Sequence, residues 1–217
     1  TMEQLKTQDM IYVHNTMRDA FARAAMLEHI DVNNTAQRDA VILYFDAMLS
    51  FIQSHHEAED IVLWPKLLER AEADADVVRH GMTQHEELAN LLPEAQKALA
   101  AFRQDPSSTA LIELKNILVD MGTMLTQHLN DEENNVLPIC AQHVTQEEWV
   151  QLPQYTLKKL EGAILMMVIG LVRHAFDDTY RAAMDANMPP PLKEAWKSEG
   201  QALFAQTMAN MNLELAA

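Results

Sequence analysis

Apolar residues recur every three to four positions along most of this chain, which is the period of an amphipathic helix. Met10, Ile11, His14, Met17 and Phe21 form one stripe and predict a helix from about Met2 to Ile30. The turn "DVNNT" at 31–35 follows, with Asn34 and Gln37 as a helix-start pair. A second helix runs to about Ala71, with Tyr44, Met48, Ile52, His55 and Glu59 on one face. The acidic stretch "EADAD" at 72–76 separates it from a third, which carries Val78, Met82, His85, Leu88, Ala89 and Leu92. Pro93 should kink or break that helix, since it lacks an N–H and clashes with the preceding turn. In the loop "RQDPSS" at 103–108, Asp105 is the expected N-cap and Pro106 the first helical residue. The fourth helix continues to about Cys140, with Met121, Leu125, His128, Glu132 and Val136 aligned.

The pattern then changes. Thr145 and Glu148 form a capping-box signature before a short helix containing Trp149. A strongly apolar helix is expected from about Leu157 to Phe176, "NMPPPL" at 187–192 stops the next segment, and a final helix follows. The expected fold is all-α. Residues 2–143 form an up-down-up-down four-helix bundle, and residues 144–217 a C-terminal helical extension packed on it.

Composition narrows the function. The 217 residues can bury a sizeable core, and five glycines are few enough to favour helix throughout. A formal net charge of −16 argues against nucleic acid and anionic lipid, which select basic faces. The longest apolar run, "AILMMVIGLV" at 163–172, is about half of what a bilayer crossing needs. With a single cysteine and no secretory signal pattern, a cytoplasmic protein is expected.

The chemistry lies in an internal repeat. "SHHEAEDIVLWP" at 54–65 returns as "QHLNDEENNVLP" at 127–138, so His55, Glu59 and Pro65 match His128, Glu132 and Pro138. Bundle arithmetic, at about 1.5 Å of rise per residue, brings four histidines to one level. His14 and His55 lie about equally far from the first turn, as do His85 and His128 from the third. Glu59 and Glu132 sit one helical turn beyond their histidines, on the same face. Six such side chains exceed a closed tetrahedral zinc site. They suit two borderline-hard cations bridged by carboxylates, with iron the first choice and manganese the second. A lone inward histidine is usually a hydrogen-bonded core residue; four at one level, with two glutamates in register, are much harder to explain that way.

The set His14, His55-His56-x-x-Glu59, His85 and His128-x-x-x-Glu132 resembles the hemerythrin-like HHE cation-binding domain family. So do "DMIYVHNTMRDAF" around His14 and the "LWP" and "VLP" after each repeat. The resemblance covers residues 7–140. It implies a bundle holding a non-haem di-iron centre, oxo- or hydroxo-bridged, with His14, His55, Glu59, His85, His128 and Glu132 as metal ligands. The chain departs from oxygen-carrying relatives on the third helix, where Gly81 stands in place of a second metal-binding histidine. Four histidines instead of five would leave a spare position on the metal nearer the third and fourth helices.

His80 shares a face with Asp76, Thr83, Gln84 and Glu87 and is expected in solvent. His56 points about 100° from His55, and its counterpart in the second repeat is Leu129; a surface or supporting place is expected rather than ligation. Glu57, Asp60 and Glu133 are expected to be solvated, unless one orients a ligand imidazole. Trp64 either packs under the site or donates its N–H to it.

Two functions stay open. One is a di-iron protein that carries, senses, scavenges or stores, with dioxygen, peroxide or nitric oxide as its small partner. The other is a di-iron oxidase or oxygenase acting on a small organic substrate, with the extension as a lid or pocket wall. A homodimer through the apolar helix is a further option.

Overall fold

A computed structural model describes residues 5–215. Among these, helices joined by turns account for the architecture, and no strand occurs. Helix α1 spans Gln8–Ala24 and ends six residues before the expected Ile30. A 3₁₀ turn at Leu27–His29 takes over there and carries Leu27 into the core. The part of the expected helix at residues 2–4 lies outside the described residues.

Helix α2, Thr35–Ala58, starts as the sequence predicts: Gln37 N–H donates to Asn34 Oδ1 at 3.1 Å. It does not run unbroken to Ala71. A π-helical turn occupies Glu59–Leu63, and α3 resumes at Trp64–Arg70. The second repeat does the same: α5 covers Ser108–Asp131, a π turn Glu132–Val136, and α6 Leu137–His143. In each case a proline, Pro65 or Pro138, stands near the start of the resumed helix. A proline's missing donor is tolerated where the α-helical ladder is already interrupted.

Helix α4 spans Ala75–Gln104 in one piece, so Pro93 does not break it. Both Pro93 and Ala89, whose carbonyl loses its usual donor, face solvent, where water can satisfy that oxygen. The same exposure removes Ala89 from the expected inner stripe. The start of α5 also differs from expectation. Ser107, not Asp105, caps it, its hydroxyl accepting from Ala110 N–H at 3.2 Å, and Pro106 stays in the loop.

Helices α1, α2, α4 and α5 touch in a closed ring, α1 on α2, α2 on α4, α4 on α5 and α5 on α1. Beyond them come α7 (Gln146–Trp149), α8 (Gln151–Lys158) and α9 (Gly162–Ala175). The expected single apolar helix from 157 is therefore two, split before Gly162, whose φ of 56° is a left-handed turn conformation that suits glycine. The chain ends with α10 (Asp178–Asn187), α11 (Pro190–Ala195), a π turn and α12 (Gln201–Met211).

Helices α8, α9 and α12 all lie on α2, and α9 also lies on α1. One hydrophobic core accordingly runs through both parts of the chain, joining Met48 and Phe45 to Met167, Leu171 and Met211. This second covering explains why α2 is apolar on more than one face, with Val41, Phe45 and Leu49 buried as well as Tyr44, Met48 and Ile52. It also accounts for the apolarity of α9 within the chain, where Met166 to Val172 are all buried. Polar clips fasten the extension: Tyr12 donates to Asp177 at 2.9 Å, Trp149 to Asp9 at 3.0 Å, and Gln37 to the Met211 carbonyl at 3.0 Å.

Candidate metal centre

The α2 and α5 stripes each deliver a histidine and, four residues on, a glutamate at the first position of a π turn. His55 Nε2 lies 3.2 Å from Glu59 Oε1, and His128 Nε2 lies 3.4 Å from Glu132 Oε2. The other two helices complete the set. His85 Nε2 from α4 lies 3.3 Å from Glu59 Oε2, and His14 Nε2 from α1 lies 3.9 Å from Glu132 Oε2. All six expected side chains thus meet in one place, and each is at most 5% exposed.

Their inward atoms are what a cation would need. His14 Nε2, His55 Nε2 and all four carboxylate oxygens of Glu59 and Glu132 are buried with no hydrogen-bond partner among the described residues. Leaving one buried polar atom unpaired costs about 1–3 kcal/mol, and native interiors rarely leave several together. His85 Nε2 and His128 Nε2 face each other at 3.2 Å. Two lone pairs at that distance repel unless a proton or a cation lies between them. One ligand atom from each of His14, His55 and Glu59 falls within 4.8 Å of the others, and so does a set from His56, Glu59, His85 and His128. The residues present fit a cation centre in which Glu59 is shared.

The outward ring nitrogens are braced. His14 Nδ1 lies 2.9 Å from Glu133 Oε1, which also accepts from Arg18 at 2.8 Å. His128 Nδ1 lies 3.1 Å from Gln84 Oε1, and the Gln84 amide donates to Asp131 at 2.8 Å. His85 Nδ1 has two neighbours for one site: it donates to Asp60 Oδ1 at 2.7 Å or accepts from Trp64 Nε1–H at 3.2 Å. The shorter, charge-assisted contact decides for Asp60. Each brace favours a proton on Nδ1 and aims Nε2 inward, as a metal-ligating imidazole requires.

Burial and charge set the protonation. Burial pushes His55 down to about 4 and His128 to about 3, the latter assisted by the charge of His85. Burial, then the neighbouring His85 and His128, hold His56 well below the usual histidine range. His85 goes the other way: burial lowers it, but the Asp60 hydrogen bond and the nearby carboxylates of Glu59 and Asp60 outweigh that and raise it to about 9. Burial also opposes Glu59, yet His55 and His85 bring it down to about 2. Glu132 is driven well above the carboxylate range, by burial first and then by Glu59. Burial and charge thus disfavour protonation of His55, His56 and His128 and favour it on His85, and a divalent cation would displace protons buried here.

Several neighbours differ from expectation. His80 is in solvent, as expected, with its side chain 61% exposed. His56 is not at the surface: it is 7% exposed, its ring 4.3 Å from that of His85 and 5.1 Å from that of His128. Its face of α2 looks onto α4 and α5. Gln84, read as sharing the solvent face of His80, is buried instead and braces His128. Asp60 and Glu133 have the supporting role left open for them, and of the two places open to Trp64 the packed one is taken, its ring 5.2 Å from that of His85. The acidic pairs Glu59-Asp60 and Glu132-Glu133 at matching places in the repeat were the available signal for those braces; Gln84 had none. Cys140 is buried, and burial with the charges of Glu132 and Glu59 pushes its thiol up, which makes it a poor nucleophile.

Converging imidazoles and carboxylates inside a helical bundle, three of the imidazoles braced on their far sides, define a cation-binding protein. Residues 6–140 match the hemerythrin HHE cation binding domain, and the chain belongs to that family. No curated protein and no solved structure matched in the corresponding comparisons. No helix of the described residues is long and apolar enough to cross a membrane.

Proposed function

We propose that this chain is a non-haem di-iron protein that binds or reacts with dioxygen, peroxide or nitric oxide. The observation that carries the reading is the cluster of unpartnered buried atoms, two histidine Nε2 and four carboxylate oxygens, pointing at one another. His14, His55, His85 and His128, together with Glu59 and Glu132, would hold the two ions. The ring of α1, α2, α4 and α5 suits an up-down-up-down course around them. A ferrous pair, when bound, supplies the electrons that such small oxidants take up.

The chain's own part is to exclude water and to hold His55 and His128 neutral. Access on the Gly81 side is narrow: a cavity of about 20 Å³ is lined by Gly81, Gln84, Asp131 and Glu132. That is room for a water or a diatomic molecule and nothing larger. Met17, Met48 and Met121 are buried in the bundle core and keep it apolar.

A second reading, an oxidase or oxygenase, is favoured by a cleft of about 190 Å³ between α2 and α4. Its walls are Ile52, Leu88, Leu92 and Met121, and it reaches His56 and His85. Sites for drug-sized molecules are about 300–1,000 Å³, so only a small substrate would fit.

The test is iron content per chain after anaerobic Fe(II) loading and desalting, with absorption followed on admitting air. Two irons per chain and a near-ultraviolet spectrum that develops in air and reverses on removing the gas support a carrier or sensor. Irreversible change accelerated by a small organic compound supports the oxidase. Iron removed by chelators with no spectral or stability change overturns both.

A further inference from the structure

We propose that His56 is the fifth imidazole of the centre, delivered from α2 in place of the histidine that Gly81 leaves out of α4. The inference rests on the metal-binding reading above. His56 is 7% exposed and its Nε2 has no hydrogen-bond partner among the described residues. A histidine kept only for packing would have a partner, since buried polar atoms nearly always do. It is surrounded instead by the groups that gather round a cation, and one ligand atom from each of His56, Glu59, His85 and His128 lies within 4.8 Å of the others.

The α4 position is crowded for a side chain. A Cβ built on Gly81 would sit 3.3 Å from Cη2 of Trp64, so the indole would have to give way by a few tenths of an ångström. The third imidazole for the cation near α4 and α5 then comes from the facing helix. Only one cation gains it, because the second repeat has Leu129 where the first has His56. The result is an asymmetric pair: His56, His85 and His128 with Glu59 on one side, His14 and His55 with the same glutamate on the other. His56 also lines the cleft between α2 and α4.

Loading the wild-type chain and a His56 variant series with iron tests this. In the wild-type chain loaded with Fe(II), each ligand imidazole keeps one N–H, and paramagnetic proton NMR counts them as shifted exchangeable resonances. Five are expected; four with two irons bound would overturn the proposal. In His56→Gln, chelator competition should show one iron weakened by at least the roughly 10–100-fold that losing even an outer support costs, with the other unchanged. His56→Gly should regain the lost affinity when free imidazole is added, since the cleft admits it. His80→Ala should match wild type. His56→Gln with two irons at wild-type affinity and an unchanged Mössbauer spectrum overturns the proposal while leaving the di-iron reading intact. A wild-type chain that takes up no iron overturns both.

Discussion

Glu133, on the second half of the bundle, holds His14 on the first, its Oε1 2.9 Å from Nδ1. Asp60, at the matching place in the other repeat, reaches the opposite way to His85 at 2.7 Å. Each half therefore orients an imidazole of the other. Removing such a support typically lowers metal affinity about 10–100-fold. Glu133→Ala and Asp60→Ala are each expected to do so without unfolding the chain, as chelator competition and circular dichroism would show. Unchanged affinity in both variants would mean that the braces are incidental.

Gly81→His should not restore a ligand on α4. The indole of Trp64 already stands 3.3 Å from where a Cβ would be. Overfilling a packed interior costs about 1–3 kcal/mol, and a chain of this size loses about 2–4 °C in Tm per kcal/mol. A depressed melting temperature with no gain in iron affinity is expected. Tighter iron at an unchanged Tm would show that Trp64 yields easily.

Iron should stabilise the fold. A ligand that binds only the folded chain adds about 2.7 kcal/mol at a hundred times its Kd. Chelation should therefore lower the melting temperature, and much less in a Glu59→Gln/Glu132→Gln double variant. Equal chelator sensitivity in that variant would place the metal elsewhere.

Glu148 makes a bidentate pair with Arg70, both contacts at 2.8 Å. The Arg70 hydrogen bond holds its carboxyl at about 2, below the ordinary 4.5. A depressed folded pKa gives stability that is present above the unfolded value and lost as pH falls through the folded one. This contribution is accordingly full above about 4.5 and disappears towards 2. Glu148→Gln should flatten stability over that window, measured by denaturant melts at each pH.

Helical periodicity was enough to place the four long helices, and the spacing of the repeat was enough to bring six ligand candidates together. The errors have one physical root, namely that a face is defined by what packs on it. His56 and Gln84 lie about one residue off their stripes, and only the neighbouring helices determine that those positions are buried. Pro93 was read by its local chemistry, but exposure of Ala89 lets the helix continue. The π turns left no mark in the apolar pattern apart from the prolines that follow them.

Those two turns work as phase adjusters. An α-helix advances about 100° per residue, and a π turn fits one extra residue into its circuit. Above the turn, α2 holds His55 in the register the cation needs, with Glu59 opening the turn itself. Below it, α3 is rotated so that Trp64 and Leu67 meet a different core, with Val78 and Cys140. One rod thus serves two incompatible packing phases. Deleting a single solvent-side residue such as Ile61, 58% exposed, would return the rod to one phase and swing Trp64 away from His85. His55, six residues upstream of the excision on α2, would stay where it is.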